Sequence, residues 1–213
     1  MKRKSDVELV VFDLDGTLLD TSLYIVLNYV HLFDRYHVPV PPLKTMVYFS
    51  GPPLTEILPR HFPEVPLPEL LEEFERFSLL HANHYSCLYE GEKEVLSKLK
   101  EAGYRLAVLT NKRGRAMEDN LSFFGIDSFF DAFLPLDENP KPKPDPCGIF
   151  LLQEKLHVKG KTVVIGDSVE DIECGKRASC RTGLVTFGLK DTGTIEADER
   201  YSSYQDIERS FLL

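Results

Sequence analysis

The sequence has no apolar run approaching the roughly 20 residues that a membrane-spanning helix needs, which excludes that class of protein. The opening residues Met1-Lys2-Arg3-Lys4-Ser5-Asp6 are basic but lack the apolar segment of a secretory signal, so export is not expected and a cytoplasmic location is. Cysteine is scarce. Cys87, Cys147, Cys174 and Cys180 have no zinc-site spacing and are too few for a disulfide scaffold, and they fit reduced thiols. Basic charge is also in deficit: 25 Lys and Arg against 34 Asp and Glu leave a net charge of −9. That balance argues against nucleic acid or a membrane surface as partner. It does not forbid a small anionic substrate, because a site can be locally positive or hold a metal ion. No internal repeat or low-complexity tract is present, and at 213 residues the chain suits one domain or a core with a small insertion, as monomer or dimer.

What is there begins with Leu9-Val10-Val11-Phe12, an apolar run that reads as a strand buried on both faces. It runs directly into Asp13-Leu14-Asp15-Gly16-Thr17. Side chains two apart on an extended chain share a face, about 6–7 Å apart. Asp13 and Asp15 can therefore address one substrate while Leu14 points back into protein. Gly16 frees the chain to turn, and the Thr17 hydroxyl can fix that turn.

From about residue 20 to 86 the pattern is helical throughout. Leu23, Val26, Leu27, Val30 and Phe33 recur at helical spacing, Pro59 should stop a short helix that opens near Leu54, and Leu70, Leu71, Phe74, Phe77 and His81 mark the buried side of a longer one. In that longer helix Glu69, Glu72, Glu73 and Glu75 fall mostly outside. Strands then alternate with helices: 104–110, a weak strand at 129–133, 162–166 and 181–185, with helices between them and a last helix from about Ser202. Strands separated by helices of about a dozen residues imply parallel pairing in a doubly wound α/β sheet. The expected division is a core of residues 1–19 and 87–213 with a helical insertion at 20–86.

In such a sheet, ligands bind at the carboxyl ends of the strands. Three strands end on reactive residues: Asp13, then Thr110-Asn111-Lys112, then Gly166-Asp167-Ser168-Val169-Glu170-Asp171. A fourth stretch, Lys141-Pro142-Lys143-Pro144-Asp145-Pro146, precedes a helix. Taken in order, these four stretches resemble the four motifs of the haloacid dehalogenase superfamily, most of whose members are magnesium-dependent phosphatases. The resemblance covers essentially the whole chain and implies a helical cap over a Rossmann-like core.

The resemblance implies Asp13 as nucleophile, giving an aspartyl-phosphate, and Asp15 as the acid and base that serves the leaving oxygen and then water. It implies Mg²⁺ held by Asp13, the Asp15 carbonyl and Asp167, with Asp171 in support. Thr110 and the Asn111 amide would hold the phosphoryl oxygens, with Thr17 also at the substrate. The family register, a lysine, a proline, any residue and a proline, places the charge-neutralising ammonium at Lys141 and leaves Lys143 in the variable position. Periodicity alone does not separate the two lysines. In the cap, Gly51-Pro52-Pro53-Leu54 resembles the loop of phosphoglycolate phosphatases and related pyrophosphate-hydrolysing enzymes, and Arg60, His61 and Lys44 could reach an anionic leaving group. A dehalogenase would not need Asp15. A carbon–phosphorus hydrolase of the same fold would need a cap lysine near Pro53, which is missing. A sugar phosphomutase shares all four motifs. A catalytically silent binding protein should have lost one of Asp13, Asp15, Lys141 or Asp167, and none is lost.

Overall fold

The computed structural model describes residues 6–212. The chain enters through β1 (Val7–Phe12) and leaves the sheet by β2 (Leu19–Asp20). Four helices follow: α1 (Ser22–Arg35), α2 (Leu43–Met46), α3 (Leu54–His61) and α4 (Leu67–His81). β3 (Cys87–Leu88) then returns antiparallel to β2. Strict alternation follows through α5 (Glu92–Glu101), β4 (Arg105–Leu109), α6 (Gly114–Phe124), β5 (Ala132–Leu134), α7 (Cys147–Lys155), β6 (Lys161–Gly166), α8 (Val169–Arg177) and β7 (Arg181–Val185). The chain closes with β8 (Glu199–Tyr201) and α9 (Tyr204–Leu212). Among the described residues no helix is long and apolar enough to cross a membrane.

Six strands lie in the order β5-β4-β1-β6-β7-β8, with every neighbouring pair parallel. The order reverses at β1, so the carboxyl end of β1 opens into the crevice between oppositely directed connections. The period of two along β1 sorts its side chains cleanly. Val10 and Phe12 enter one apolar cluster with Val95 and Leu99 of α5 and Ile207 and Phe211 of α9. Leu9 and Val11 enter another, with Ile149 and Leu152 of α7 and Cys174 of α8.

The helices between β2 and β3 carry a third apolar cluster, built from residues between Tyr24 and Ala82 alone. Leu70 and Phe74 are buried in it and Phe77 packs at its edge; none of the three belongs to the two clusters on the sheet. The inward face of α1 is Tyr24, Ile25, Asn28, Tyr29, Leu32 and Phe33, so the stripe expected from Leu23 is turned by about one residue, and Leu23 itself is exposed. Asn28 accounts for the turn, because its buried amide donates to the Phe74 carbonyl at 3.1 Å and to Ser78 Oγ at 3.1 Å. Glu73 likewise belongs inside rather than outside. Its carboxylate takes hydrogen bonds from Arg76 and pairs with His31 and Arg35, and these hold its pKa down to about 2. Pro59 does not stop α3, since a missing N–H near the last turn removes one bond and Phe62 N–H still reaches the Leu58 carbonyl at 2.9 Å. β8 was not expected from the sequence; it is three residues long, and Tyr201 packs where Gly183 leaves room.

Glu92, in the first turn of α5, is buried, with one oxygen accepting the Tyr89 N–H at 3.3 Å and the other without a partner. Burial pushes its carboxyl up to about 8, above the ordinary value of about 4.3. The stability tied to the neutral form is therefore complete below the ordinary value and is lost as pH rises through about 8. Glu92→Gln should raise the melting temperature at pH 9, with a difference that shrinks towards pH 5, as followed by circular dichroism. A difference that does not vary with pH would refute this.

Candidate active site

Asp13 is the first residue past β1, and its N–H is tied to the Ile165 carbonyl of β6 at 2.9 Å. Alternation places it on the side of Leu9 and Val11, facing α7 and α8. There it meets a buried ammonium. Lys143 Nζ donates to Asp13 Oδ1 at 2.6 Å, to Asp171 Oδ1 at 2.6 Å and to the Leu109 carbonyl at 2.9 Å.

The expected register is therefore corrected: the lysine at Asp13 is Lys143, not Lys141. The Lys141 side chain is 70% exposed and lies 3.5 Å from Asp145. Asn111 is the cause. Its side chain accepts the Lys143 N–H at 2.9 Å and donates to the Lys143 carbonyl at 3.2 Å, clamping that residue to the end of β4. The chain turns on either side of the clamp, leaving Lys141 two residues out in solvent. A signal for this was present in the sequence. The pattern of lysine, proline, any residue and proline occurs twice in overlapping registers, Lys141 to Pro144 and Lys143 to Pro146.

Asp13, Asp167 and Asp171 are all buried, with one carboxylate oxygen of each lying within 4.8 Å of the others. Asp167 sits just before Ser168, which caps α8, and Asp171 closes the capping box at the third helical position. Asp167 therefore precedes the helix while Asp171 lies in its first turn. Asp171 is committed to Lys143 and to Ser168. Gly16 brings its backbone against this cluster at φ +84°, where a Cβ would stand 2.1 Å from Asp167 Oδ2. Lys190, from the loop after β7, grips both Asp167 oxygens at 2.9 and 2.7 Å. No motif in the sequence around Lys190 marks it as a partner of Asp167.

Three carboxylates against two ammonium groups leave an excess of negative charge in a dry setting. Burial, with Lys143 opposing it and the other two aspartates reinforcing it, pushes Asp13 up to about 7. Burial also lifts Asp167 to about 6, with Lys190 pulling the other way. At Asp171 burial works upward too, but Lys143 and Ser168 overcome it and hold the group below its ordinary value. For Lys143 itself burial works downward, and attraction to Asp13 and Asp171 wins, so the ammonium persists. Clustered hard oxygen donors with surplus negative charge fit a divalent cation of the Mg²⁺ type.

Asp15 shares a cavity of about 90 Å³ with Asp13 and Thr110 beneath a roof of Tyr24, Tyr29, Phe49 and Phe74. Lys112 Nζ donates to Asp15 Oδ1 at 2.6 Å. Thr110 is buried, and its Oγ1 accepts the Lys112 N–H at 3.1 Å. Asn111 lines the cavity, but its amide also donates to the Gly51 carbonyl at 2.9 Å, joining the helical layer to the sheet.

Two expected substrate contacts are elsewhere. Thr17 is fully buried, and its carbonyl accepts the Tyr204 hydroxyl at 2.7 Å, so it serves the turn against α9. Arg60 lies off the inward stripe of α3 and is exposed beside Glu56 at 3.7 Å. His61 packs on the Phe49 ring, 4.5 Å between centroids, and Lys44 is exposed.

The sequence model of the haloacid dehalogenase-like hydrolases matches residues 10–185. A pyrophosphatase PpaX from Halalkalibacterium halodurans is 33% identical over 193 residues, covering 87% of this chain and 86% of that protein. A pyrophosphatase PpaX from Bacillus velezensis is 33% identical over 196 residues, with coverage of 91% and 89%. Among solved structures, one described as a predicted phosphoglycolate phosphatase from Haemophilus somnus superposes with a TM-score of 0.85 at 25% identity, covering 97% of this chain and 99% of that one. A haloacid dehalogenase-like family protein from Streptococcus pneumoniae gives a TM-score of 0.86 at 21% identity, covering 96% and 98%. With its parallel sheet, its reversal at β1 and its strand-end carboxylates, this chain belongs to the haloacid dehalogenase-like hydrolases.

Proposed function

We propose that the protein is a Mg²⁺-dependent phosphatase acting on a small anionic phosphate compound, pyrophosphate or a phosphoglycolate-like ester, through an aspartyl-phosphate on Asp13. The observation that carries this reading is the pair of differently partnered carboxylates two residues apart. Asp13 is held by Lys143 among buried acids, and Asp15 is held by Lys112 at the cavity. Phosphoryl transfer needs a nucleophile in line with its leaving group and compensation for charge on three oxygens. Asp13 Oδ attacks phosphorus as the bond to the leaving oxygen breaks, and Asp15 gives its proton to that oxygen. Asp15 then takes a proton from the water that releases phosphate from Asp13. Lys143 offsets charge on Asp13 throughout, while Thr110 orients the phosphoryl oxygens. Asp13 and Asp167 would hold the metal ion, with Asp171 in support, and the ion supplies positive charge opposite the phosphoryl group.

The space directly over Asp13 is about 90 Å³ under an aromatic roof, which favours a compact group at the nucleophile. We take residues 20–86 as a cap that pivots on the β2–β3 link. Its contacts with the sheet layer include the polar pairs Asn111–Gly51, Arg113–Glu75 and Tyr48–Asp191, which can break without exposing apolar core.

With Mg²⁺, the purified protein should release phosphate from pyrophosphate or phosphoglycolate, and none after EDTA. Asp13→Asn should abolish turnover at saturating substrate, and Asp15→Asn should cost about 10²–10⁴-fold in kcat. Full activity in EDTA, or an active Asp13→Asn protein, would overturn the mechanism. Lys143→Ala should lose orders of magnitude in rate and also destabilise the fold by about 3–5 kcal/mol, because buried carboxylates lose their cation. Lys141→Ala should change stability by less than about 1 kcal/mol and leave the rate near wild type. The reverse pattern in denaturant melts and phosphate release would restore the rejected register.

A further inference from the structure

We propose that Lys112 is the specificity-determining residue of this site: it receives a second anionic group, carried on the leaving side of the substrate. The proposal rests on the phosphatase reading above and extends it to the part of the substrate that departs.

A lysine side chain only 10% exposed is costly unless it is fully partnered. Lys143 meets that need with two carboxylates and a carbonyl. Lys112 does not. Its ammonium makes one hydrogen bond, to Asp15, with the Tyr24 ring 5.6 Å away, so two of its three N–H donors remain for something else. Its backbone is pinned on both sides. The N–H donates to Thr110 Oγ1 at 3.1 Å, and the carbonyl accepts the Leu136 N–H at 2.9 Å. The placement of the ammonium is thus fixed by the end of β4 rather than by a loose loop.

Lys112 also stands at a junction. It lines the 90 Å³ cavity over Asp13, and it lines an adjoining opening of about 250 Å³ that shares Tyr24, Leu54 and Phe74 with the first. Among the described residues lining the inner cavity it is the one cation, and the roof is aromatic and aliphatic. Asp13 and Asp15 are the acids that share this cavity with Lys112. A neutral leaving group gains little from Lys112. A phosphate or carboxylate seated beside Lys112 would be held by the two remaining N–H donors, each a charge-assisted hydrogen bond. In the outer opening Arg113 is engaged with Glu75 at 2.8 Å, and Arg115 is solvent-exposed on a wall it shares with Asp137, so neither is held over Asp13 as Lys112 is.

The shared chemistry is an anion a short distance from the transferred phosphorus, and it has two sources: the second phosphate of a diphosphate, or a carboxylate on a short carbon chain. Non-hydrolysable probes separate them without needing turnover. Imidodiphosphate, phosphonoacetate and ethylphosphonate would be titrated calorimetrically into the Mg²⁺-loaded full chain, as wild type, Lys112→Met and Lys112→Arg. Wild type should bind one or both dianionic probes more tightly than ethylphosphonate. In Lys112→Met that preference should fall by about 10–100-fold, the range of a charge-assisted hydrogen bond, and in Lys112→Arg it should persist. The dianionic probe that loses more identifies the source. Equal losses for all three probes, or a wild type without preference, would overturn the assignment and reduce Lys112 to a partner of Asp15. If Lys112→Met fails to fold by circular dichroism, Lys112→Gln carries the same comparison. Phosphate release from the corresponding esters tests the phosphatase reading separately, so either can fail alone.

Discussion

One buried ammonium organises this molecule. Lys143 lies between Asp13 and Asp171 and also holds the last carbonyl of β4. Three elements that are far apart in sequence, the ends of β1 and β4 and the first turn of α8, are thereby drawn to one point. Without that charge, three carboxylates could not share a dry space, since like charges at such distances drive protonation. With it and with Lys190 on Asp167, three carboxylates face two ammonium groups, and the donor set suits a divalent cation. The same constraint fixes the surroundings. Gly16 must lack a side chain where it passes Asp167, Ser168 must cap α8 while supporting Asp171, and Asn111 must clamp the lysine's backbone.

Around that fixed point the helical layer carries an apolar cluster of its own, and its contacts with the sheet layer include the polar pairs described above. Its inward side chains, Tyr24, Tyr29, Phe49 and Phe74, form a roof that carries no charge. In the proposed reaction, discrimination would fall to the polar groups on the floor, and Lys112, which makes one hydrogen bond to Asp15, keeps donors for a substrate group. Asp13 and Lys143 are bound too closely into the core to respond to a leaving group.

Much of this was legible in the sequence because the sheet is regular. Unbroken apolar runs gave the buried parallel strands, the helical stretch between Asp20 and Cys87 stood out against the alternation, and reactive residues fell at strand ends. Other features depend on partners far along the chain. The repeated Lys-Pro step offered two registers, and the choice between them is made by the Asn111 side chain at residue 111. Glu73 reads as one more acid on a solvated stripe until Arg76, His31 and Arg35 are seen around it. Thr17 and Arg60 are plausible substrate contacts by type, but the turn against Tyr204 and the stripe of α3 point them elsewhere. Lys112 and Lys190 carry no local signal of their role, since each is defined by the acid it faces.

Whether Asp13 itself receives the phosphoryl group is tested most directly by trapping it there. In Asp15→Asn protein supplied with Mg²⁺ and acetyl phosphate, whose leaving group needs no protonation, the covalent adduct should form and outlive acid quenching. Borohydride reduction followed by peptide mass spectrometry should then find the modification at residue 13 and nowhere else. Modification at any other residue, or an unmodified Asp13 in protein that still consumes acetyl phosphate, would contradict the mechanism.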